Sequence, residues 1–337
     1  MDLAVFGPYI ATILAYFIIF NILTWGLNIQ FGYAGIPNFT YITFMAMGAY
    51  VTGATGLPRP TAGFQYVQYI LGYSWPFPIT LLAGAVGAGA LAFLLGLITL
   101  RRLRTDYLAI VTFSLGFILY DVVGTFVPLF NGFDGLFGVP QPLADVFQLD
   151  PNTYPYFFIP LSLVIMLICW LVANRIFDSP LGRTMRAIRE DVEVAEALGK
   201  DSFRFRIIAL IVGCVFAGVA GGLTIEFVTA FNPSGWTAPE TFVIFAACLV
   251  GGKANNRGAV LGAFLVPVIF FEGSRFIPVP PDHPLLLAGI RYMVIGTLLI
   301  GVLWFRPEGL LPEKKKAFFE IALKKPTLPV VQAPDAL

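Results

Sequence analysis

Four ionisable side chains fall inside long apolar stretches of the sequence, where a charge must be neutralised or used. They are Asp121, Glu226, Glu272 and Arg291. Because charge is costly in a nonpolar medium, such residues mark ligand pathways, ion pairs, or helix ends from which the side chain reaches water. Glu226 and Glu272 lie toward the ends of their stretches, and we expect both to reach water. Asp121 lies nearer the middle, where it either faces a pathway and meets a cationic group of a ligand or pairs with Arg291.

The side chains that could support covalent or metal chemistry are scattered. Each of the three cysteines, Cys169, Cys214 and Cys248, lies in an apolar run, and the single histidine, His283, lies among prolines. No spacing matches a metal-ligand set or a disulfide framework. An integral-membrane enzyme would need a nucleophile, a metal cluster or an acid pair. We therefore expect no metal, no cofactor and no enzymatic activity.

The composition indicates that lipid surrounds most of the chain. Of the 337 residues, 58% are hydrophobic and 12% are charged, whereas a soluble domain carries roughly 25% charged residues. The mean hydropathy is +0.81. So few charged side chains cannot cover so much apolar surface, which excludes an ordinary soluble protein. The net charge of +1 gives no sign of nucleic-acid binding.

The apolar stretches define the elements that must position these residues. About 20 helical residues cross the roughly 30 Å hydrocarbon core of a bilayer. We therefore predict an all-α polytopic membrane protein with about nine (eight to ten) transmembrane helices. The predicted spans are Tyr9–Phe31, Phe39–Leu57, Phe77–Leu100, Tyr107–Phe130, Tyr154–Phe177, Ile207–Phe231, Thr237–Gly252, Gly258–Gly273 and Leu285–Phe305. The seventh and eighth are short, and a break between them would cost least at Gly251-Gly252.

Two of the predicted spans carry small residues at every fourth position. These residues are Gly84, Ala88, Ala92 and Gly96 in the third span, and Gly213, Ala217 and Gly221, with Gly218 and Gly222, in the sixth. Helices in lipid associate through close backbone contact, which small residues permit. We expect both spans to pack tightly against other helices.

The basic residues indicate how the chain is oriented. All of the 21 except Arg59, Arg275 and Arg291 fall in segments that the alternating spans place on one side of the membrane. Loops rich in Lys and Arg stay in the cytoplasm. The C-terminus is therefore predicted to be cytoplasmic and the N-terminus to lie outside, and the loop 131–153, which contains acids but no base, agrees with this orientation.

A charged cytoplasmic loop is predicted between the fifth and sixth spans. Ser179 and Pro180 are residue types that begin a helix, and Gly199 is a type that ends one. Apolar residues recur between them at helical spacing: Leu181, Met185, Ile188, Val192, Ala195 and Leu198. We predict one amphipathic helix of about five turns, whose apolar stripe packs against lipid headgroups or a protein partner. Four acidic residues between Glu190 and Glu196 favour a protein partner.

Six segments in order resemble the permease subunits of branched-chain amino acid ABC importers, in particular the LivM-like branch. They are Gly26-Leu27-Asn28 with Gly32-Tyr33-Ala34-Gly35 and Gly48-Ala49-Tyr50, Leu103 to Thr112, Asp134 to Pro140, Ser179 to Gly199, Gly251 to Ala263, and Arg306 to Leu311. The charged loop is the most specific of these. It resembles the segment by which such permeases dock on their ATPase subunits.

The resemblance implies a division of the chain and a set of site residues. Residues 1–311 would form the transmembrane permease domain, with a coupling loop at 178–204, and residues 312–337 would form a cytoplasmic tail. The residues implied to couple to the ATPases are Gly182, Arg183, Arg186, Arg189, Glu190, Ala195, Glu196, Ala197 and Gly199. The opening helices and the fourth span supply the predicted pathway residues Asn28, Gly32, Asn38 and Asp121.

The resemblance also implies partners and a location. These partners are two cytoplasmic ABC ATPases, a second, LivH-like permease and an extracytoplasmic substrate-binding protein, assembled in the plasma membrane. Gly199-Lys200 is followed by Asp201, so the chain has no phosphate-binding loop there and its energy must come from the ATPases. The cargo would be a branched-chain or other neutral amino acid, with urea or an amide as the alternative. A secondary transporter or channel that works alone is the less favoured interpretation.

Overall fold

The computed structural model describes residues 3–59, 68–101, 105–151, 153–270 and 286–313. Its α-helices are α1 (Leu3–Leu27), α2 (Tyr41–Gly56), α3 (Ile79–Thr99), α4 (Thr105–Thr125), α5 (Val127–Phe130), α6 (Ala144–Phe147), α7 (Tyr154–Asp178), α8 (Pro180–Glu190), α9 (Val192–Ala197), α10 (Ser202–Val228), α11 (Ala238–Gly251), α12 (Asn256–Ala263) and α13 (Leu286–Phe305). The π-helical segments Asn28–Tyr33 and Phe264–Phe270 continue α1 and α12. Strands β1 (Leu136–Phe137) and β2 (Ala230–Phe231) pair antiparallel, and the 3-10 turns Gly132–Asp134 and Pro233–Gly235 lie beside them.

The helices confirm an all-α, multi-pass membrane architecture. Five helical stretches are long and apolar enough to cross a bilayer: Gly7–Tyr33, Ile79–Thr99, Tyr107–Thr125, Tyr154–Asp178 and Ser202–Val228. The other four predicted spans coincide with α2, α11, α12 with its π segment, and α13. Of these, α11 has 14 residues, and α12 has 8 followed by the 7 of its π segment, so both are shorter than the other spans, as the sequence predicts.

Between α11 and α12 the chain turns where the sequence favours a break. Gly252 adopts a φ angle of 119°, a backbone conformation that residues with a Cβ rarely adopt. Its N–H donates to the carbonyl of Cys248 and so ends α11. The π segment after α12 contains Pro267. Proline has no N–H to donate to the helix, and this accounts for the local widening of the helix there.

Helix α10 lies at the centre of the bundle and packs against α2 and α3. A Cβ on Gly221 would lie 1.9 Å from the Met45 carbonyl oxygen, and one on Gly48 would lie 2.4 Å from the Cα of Gly218. Backbones approach this closely only where at least one of the two residues is a glycine. On α3, Ala88 and its neighbours on the same face are also buried. The small-residue stripes of the third and sixth spans therefore pack against other helices as predicted.

The intramembrane charges are arranged differently from the prediction. Glu226 is 2% exposed, and its Oε1 accepts a hydrogen bond of 3.0 Å from the Thr80 hydroxyl. The expectation that Glu226 reaches water is wrong, because the start of α3 and the loop after β1 pack around the end of α10 and leave only a small cavity beside the buried side chain. Asp121 is exposed on α4. Glu272 and the side chain of Arg291 lie outside the described residues, so the proposed pairing of Asp121 stays a prediction.

A single methyl group at the α2–α10 contact tests this packing. In Gly221→Ala the new Cβ would overlap the Met45 carbonyl, so we expect a loss of about 1–3 kcal/mol in stability. Thermal unfolding in detergent measures it. Gly301→Ala on α13 is the matched control, because no atom of the described residues lies within 4 Å of its Cβ. Equal melting temperatures for the two variants would contradict the packing argument.

Candidate functional site

The charged loop between α7 and α10 folds into two short helices rather than the predicted single one. The Ser179 hydroxyl caps α8 by accepting from the Gly182 N–H at 3.2 Å, as its sequence position predicts. Helix α8 ends at Asp191, which is extended at φ −153°, and the Asp191 carboxylate accepts from the Val194 N–H to cap α9. The prediction of one continuous helix is wrong. The Asp191 side chain accepts a hydrogen bond from a backbone N–H and so starts a second helix in place of a continued first one.

Gly199 ends α9 as predicted. It adopts φ 77°, and its N–H donates to the Glu196 carbonyl while the Lys200 N–H donates to the Ala195 carbonyl. This is the Schellman arrangement, in which a left-handed glycine satisfies the last free carbonyls of a helix. The loop therefore has a defined shape at both ends.

The apolar stripe of the loop faces the protein's own bundle. Met185, Ile188 and Ala195 are buried. The expectation that the stripe packs on lipid or a partner is therefore wrong for its central part. The exposed apolar side chains are instead Val194, at 55%, and Leu198, at 75%. They form the outer tip of what we call the α8–α9 module (residues 179–199).

Arg189 fastens the module to the membrane helices. Its guanidinium donates to the Gly32 carbonyl in the π segment after α1. It also donates to Glu313 Oε2 at 2.8 Å and to Glu190 Oε1 at 2.6 Å. Burial lowers the pKa of Arg189, but the hydrogen bonds and charges of Glu313 and Glu190 outweigh it and hold that pKa above its ordinary value. The cation is thus held between α8, the π segment and the residues after α13.

Arg186, one turn earlier on α8, attaches the module to the bundle at a second point. Its guanidinium donates to the Phe177 carbonyl at 3.0 Å and lies 4.7 Å from the centre of the Phe177 ring. It also approaches Glu313 Oε1 at 3.5 Å. One carboxylate therefore bridges two arginines of α8. We call Arg186, Arg189 and Glu313 the arginine clamp.

The predicted coupling residues divide into two groups. Those that hold the module to the bundle are Gly182, Arg186, Arg189 and Ala195. Those exposed on its outer side are Arg183, Glu190, Glu196, Ala197 and Gly199. Gly182 has no room for a side chain, since a Cβ there would lie 2.3 Å from the Ile176 carbonyl oxygen. The inner group sets the geometry, and the outer group lies at the surface, where Glu190 also pairs with Arg189.

Behind the clamp, the predicted pathway residue Asn28 belongs to a buried polar network. Its Oδ1 accepts from the Ala254 N–H at 2.7 Å, and its Nδ2 donates to Asn256 Oδ1 at 3.4 Å. Asn256 also accepts from the Tyr33 hydroxyl at 2.5 Å and donates to Asn174 Oδ1 at 2.8 Å. The network joins α1, its π segment, α7 and α12. Its groups have partners inside the protein, so lipid does not have to supply any.

Gly32 and Asn38, also predicted for the pathway, lie close to this network. A Cβ on Gly32 would lie 2.1 Å from the Oδ1 of Asn28. The Asn38 amide donates to Gln30 Oε1 at 3.0 Å, and Gln30 in turn donates to the Leu210 carbonyl at 3.2 Å. The cavity beside Asn38 measures about 10 Å³, which holds at most one water molecule. In this conformation both residues belong to packed structure.

Asp121, the remaining predicted pathway residue, lies apart from these. It is exposed on α4, and Phe117, Ile118 and Val122 around it are also exposed. The face of α4 that carries Asp121 therefore has no cover from the described residues. A cavity of about 420 Å³ opens toward the same end of the molecule, with a mainly apolar lining that includes Phe20, Ile42 and Phe231 from α1, α2 and β2. Ligand cavities typically measure roughly 300–1,000 Å³.

Sequence reasoning missed three residues of this site. Glu313 was assigned to the tail, although it closes the arginine clamp. Asn256 follows a charged turn, and nothing local indicates that it reaches α1 and α7. Asp191 did carry a signal, because an aspartate before Val-Glu-Val in a helical stretch can start a second helix. Among the described residues, no three His, Cys, Asp or Glu side chains are grouped to hold a metal ion.

A bundle of long apolar helices around a buried polar network, with a charged two-helix module at one end, defines a multi-pass membrane protein. The family model for the permease component of the branched-chain amino acid transport system matches residues 9–303. The chain belongs to this family.

Several curated relatives agree with this assignment. The "Probable branched-chain amino acid transport permease protein LivM" of Methanocaldococcus jannaschii is 27% identical over 94% of this chain and 99% of its own length. The LivM permease of the Escherichia coli high-affinity branched-chain amino acid transport system is 30% identical over 87% of this chain and 68% of its own. A LivH permease of M. jannaschii is 25% identical over 73% of this chain and 74% of its own. No solved structure matches the chain.

Removal of one arginine tests the clamp. In Arg189→Ala the Gly32 carbonyl and Glu313 lose a charged donor, and we expect a loss of about 1–3 kcal/mol in thermal stability. Arg183→Ala is the matched control, since Arg183 is exposed on the same helix. A double-mutant cycle with Glu313→Gln isolates the pair. If the Arg189 and Arg183 variants melt alike, the clamp does not hold the module.

Proposed function

We propose that this chain is the membrane subunit of an ATP-binding-cassette importer for branched-chain or other neutral amino acids. The family supplies the transport role. The observation that carries the finer assignment is the α8–α9 module, which is fastened on its inner side and carries Val194 and Leu198 exposed at its tip. An exposed apolar tip on a charged module fits a soluble protein partner better than lipid, because its polar face contains acids as well as bases.

The module provides a mechanical connection from such a partner to the membrane helices. A displacement of α9 would be transmitted to α8 through Asp191, which joins the two helices. Helix α8 is in turn attached to the membrane helices by the hydrogen bond from Arg189 to the Gly32 carbonyl. Gly32 lies in the π segment that also holds Asn28 and Tyr33 of the polar network. We propose that ATP binding by the partner moves the module as a unit and changes how α1, α7 and α12 pack, so that access alternates between the two sides.

The proposed assembly contains two cytoplasmic ABC ATPases, a second, LivH-like permease and an extracytoplasmic binding protein. The module and the C-terminal residues would then face the cytoplasm and the N-terminus the outside, in the plasma membrane. The curated relatives include both LivM and LivH permeases of M. jannaschii, and this supports a pair of different permeases. We retain the division into a permease domain, residues 1–311, and a tail, residues 312–337.

The uncovered face of α4 is the proposed contact with the second permease. Phe117, Ile118 and Val122 suit either lipid or protein, but a carboxylate among them, Asp121, favours a protein neighbour. The transport pathway would run between the two permeases, and Asp121 would meet the ammonium group of the cargo there. An amino acid with a branched side chain also suits the apolar cavity of about 420 Å³. Urea or an amide stays the alternative cargo, and a transporter that works alone is the alternative mechanism.

Charges placed at the module tip test the ATPase contact. In the double variant Val194→Asp, Leu198→Asp, two exposed apolar side chains become anionic, and we expect recovery of co-purifying ATPases from native membranes to fall by about tenfold or more. Glu193→Gln, an exposed change on α9, is the control. Because both altered positions are exposed, the thermal stability of the chain should not change. If the double variant recovers as much ATPase as the parent chain, the proposed contact is contradicted. In a separate experiment, uptake by the purified chain alone in liposomes would establish the alternative mechanism.

Neutralisation of Asp121 tests the pathway. We expect Asp121→Asn to lower leucine uptake by about tenfold at normal expression, because the amide cannot neutralise an ammonium group. Ser114→Ala, also at an exposed position of α4, is the control. Uptake measured in cells and expression measured by immunoblot separate a transport defect from a folding defect. Normal uptake by the Asp121 variant would remove it from the pathway.

A further inference from the structure

A second, smaller cavity lies at the end of the bundle opposite the α8–α9 module. It measures about 200 Å³ and lies between the ends of α2 and α10, the start of α3 and the loop after β1. Glu226 on its wall lies 24 residues after the start of α10, a rise of about 36 Å along the helix. The residues at its mouth, among them Trp75, Leu143 and Val146, are exposed, so the cavity opens on the surface.

Glu226 lines this cavity, and one of its two side-chain oxygens has no hydrogen-bond partner among the described residues. Its Oε1 accepts from the Thr80 hydroxyl at 3.0 Å, whereas its Oε2 is buried and has no hydrogen-bond partner among the described residues. A buried carboxyl oxygen without a donor is costly, and a bound ligand that donates to it is one way to remove that cost. The Thr80 carbonyl accepts a hydrogen bond of 3.3 Å from the Thr52 hydroxyl.

The remaining lining determines what kind of ligand would fit. No basic residue is among the described residues that line the cavity, so no protein cation pairs with Glu226 there. Trp75 and Phe77 supply aromatic rings, and prolines and Leu143 supply apolar surface. Aromatic faces attract organic ammonium groups, and apolar walls accept a short hydrocarbon body. A bare metal ion would need more oxygen ligands than this lining offers.

We propose that this cavity binds the ammonium group of a small organic amine, with Glu226 Oε2 as the acceptor and Trp75 beside the cation. The biological role of this site rests on the proposed function. At the outer end of an importer, the site would receive the ammonium group of an amino acid released by the binding protein. It is distinct from Asp121 on α4 and from the larger apolar cavity.

Calorimetric titration of the full-length chain in lipid nanodiscs tests the proposal, with isobutylammonium chloride as the probe and sodium chloride as the comparison. We expect isobutylammonium to bind and Glu226→Gln to weaken its affinity by about tenfold or more. The amide keeps the shape of the side chain and can still accept from Thr80. Asp150→Asn, a change at an exposed carboxylate, should leave the affinity unchanged. Trp75→Leu should weaken it about threefold, and because Trp75 is 42% exposed, this variant should fold normally.

Three outcomes would overturn the site: no binding by the parent chain, equal binding by the parent and the Glu226 variant, or a sodium response as large as that of the amine. The failure of the proposed function is visible separately, in the ATPase co-purification described above. If ATPases co-purify but the amine does not bind through Glu226, the importer stands and the site fails. If the amine binds through Glu226 but no ATPase is recovered, the site stands and the importer assignment fails.

Discussion

The packing of this protein depends on the fact that lipid offers no hydrogen-bond partner to a buried polar group. Around Asn256 the described helices meet this constraint by sharing side chains. Asn256 alone joins three of them, through Asn28, Tyr33 and Asn174. Helices tied in this way cannot slide past one another without breaking several bonds at once. The glycine contacts of α10 act at a different place in the bundle, where they bring its backbone close to those of α2 and α3.

The same constraint connects the charged module to the membrane part. A guanidinium at the membrane boundary needs acceptors, and Arg189 finds one of them in the backbone of the π segment, at Gly32. π-helical turns in longer helices often occur at functional positions because they alter the local hydrogen-bond pattern. Here the altered turn lies between the arginine clamp and the asparagine network. The chain therefore has one continuous set of polar contacts from the module to the helices α1, α7 and α12.

The sequence predicted what depends on composition and local signals, and missed what depends on distant partners. Apolar length located the helices, and the glycine at 252 located the turn between the seventh and eighth spans. Residue type at Ser179 and Gly199 predicted both ends of the module. The burial of Glu226 could not be predicted, because it depends on a loop and a helix start more than 80 residues away in sequence. The pairing of Glu313 could not be predicted for the same reason, because its two arginine partners lie on α8, 124 and 127 residues earlier in the sequence.

The position of Glu313 couples the residues after α13 to helix α8 of the module. A chain shortened just before this residue would keep every helix of the described residues, both helices of the module included, yet it would lose the carboxylate that bridges Arg186 and Arg189. Two guanidinium groups would then lie close together without that anion, and their mutual repulsion would favour the release of α8. Insertion into the membrane and retention of the module are thus separable properties of this chain, and the second one is completed last during synthesis.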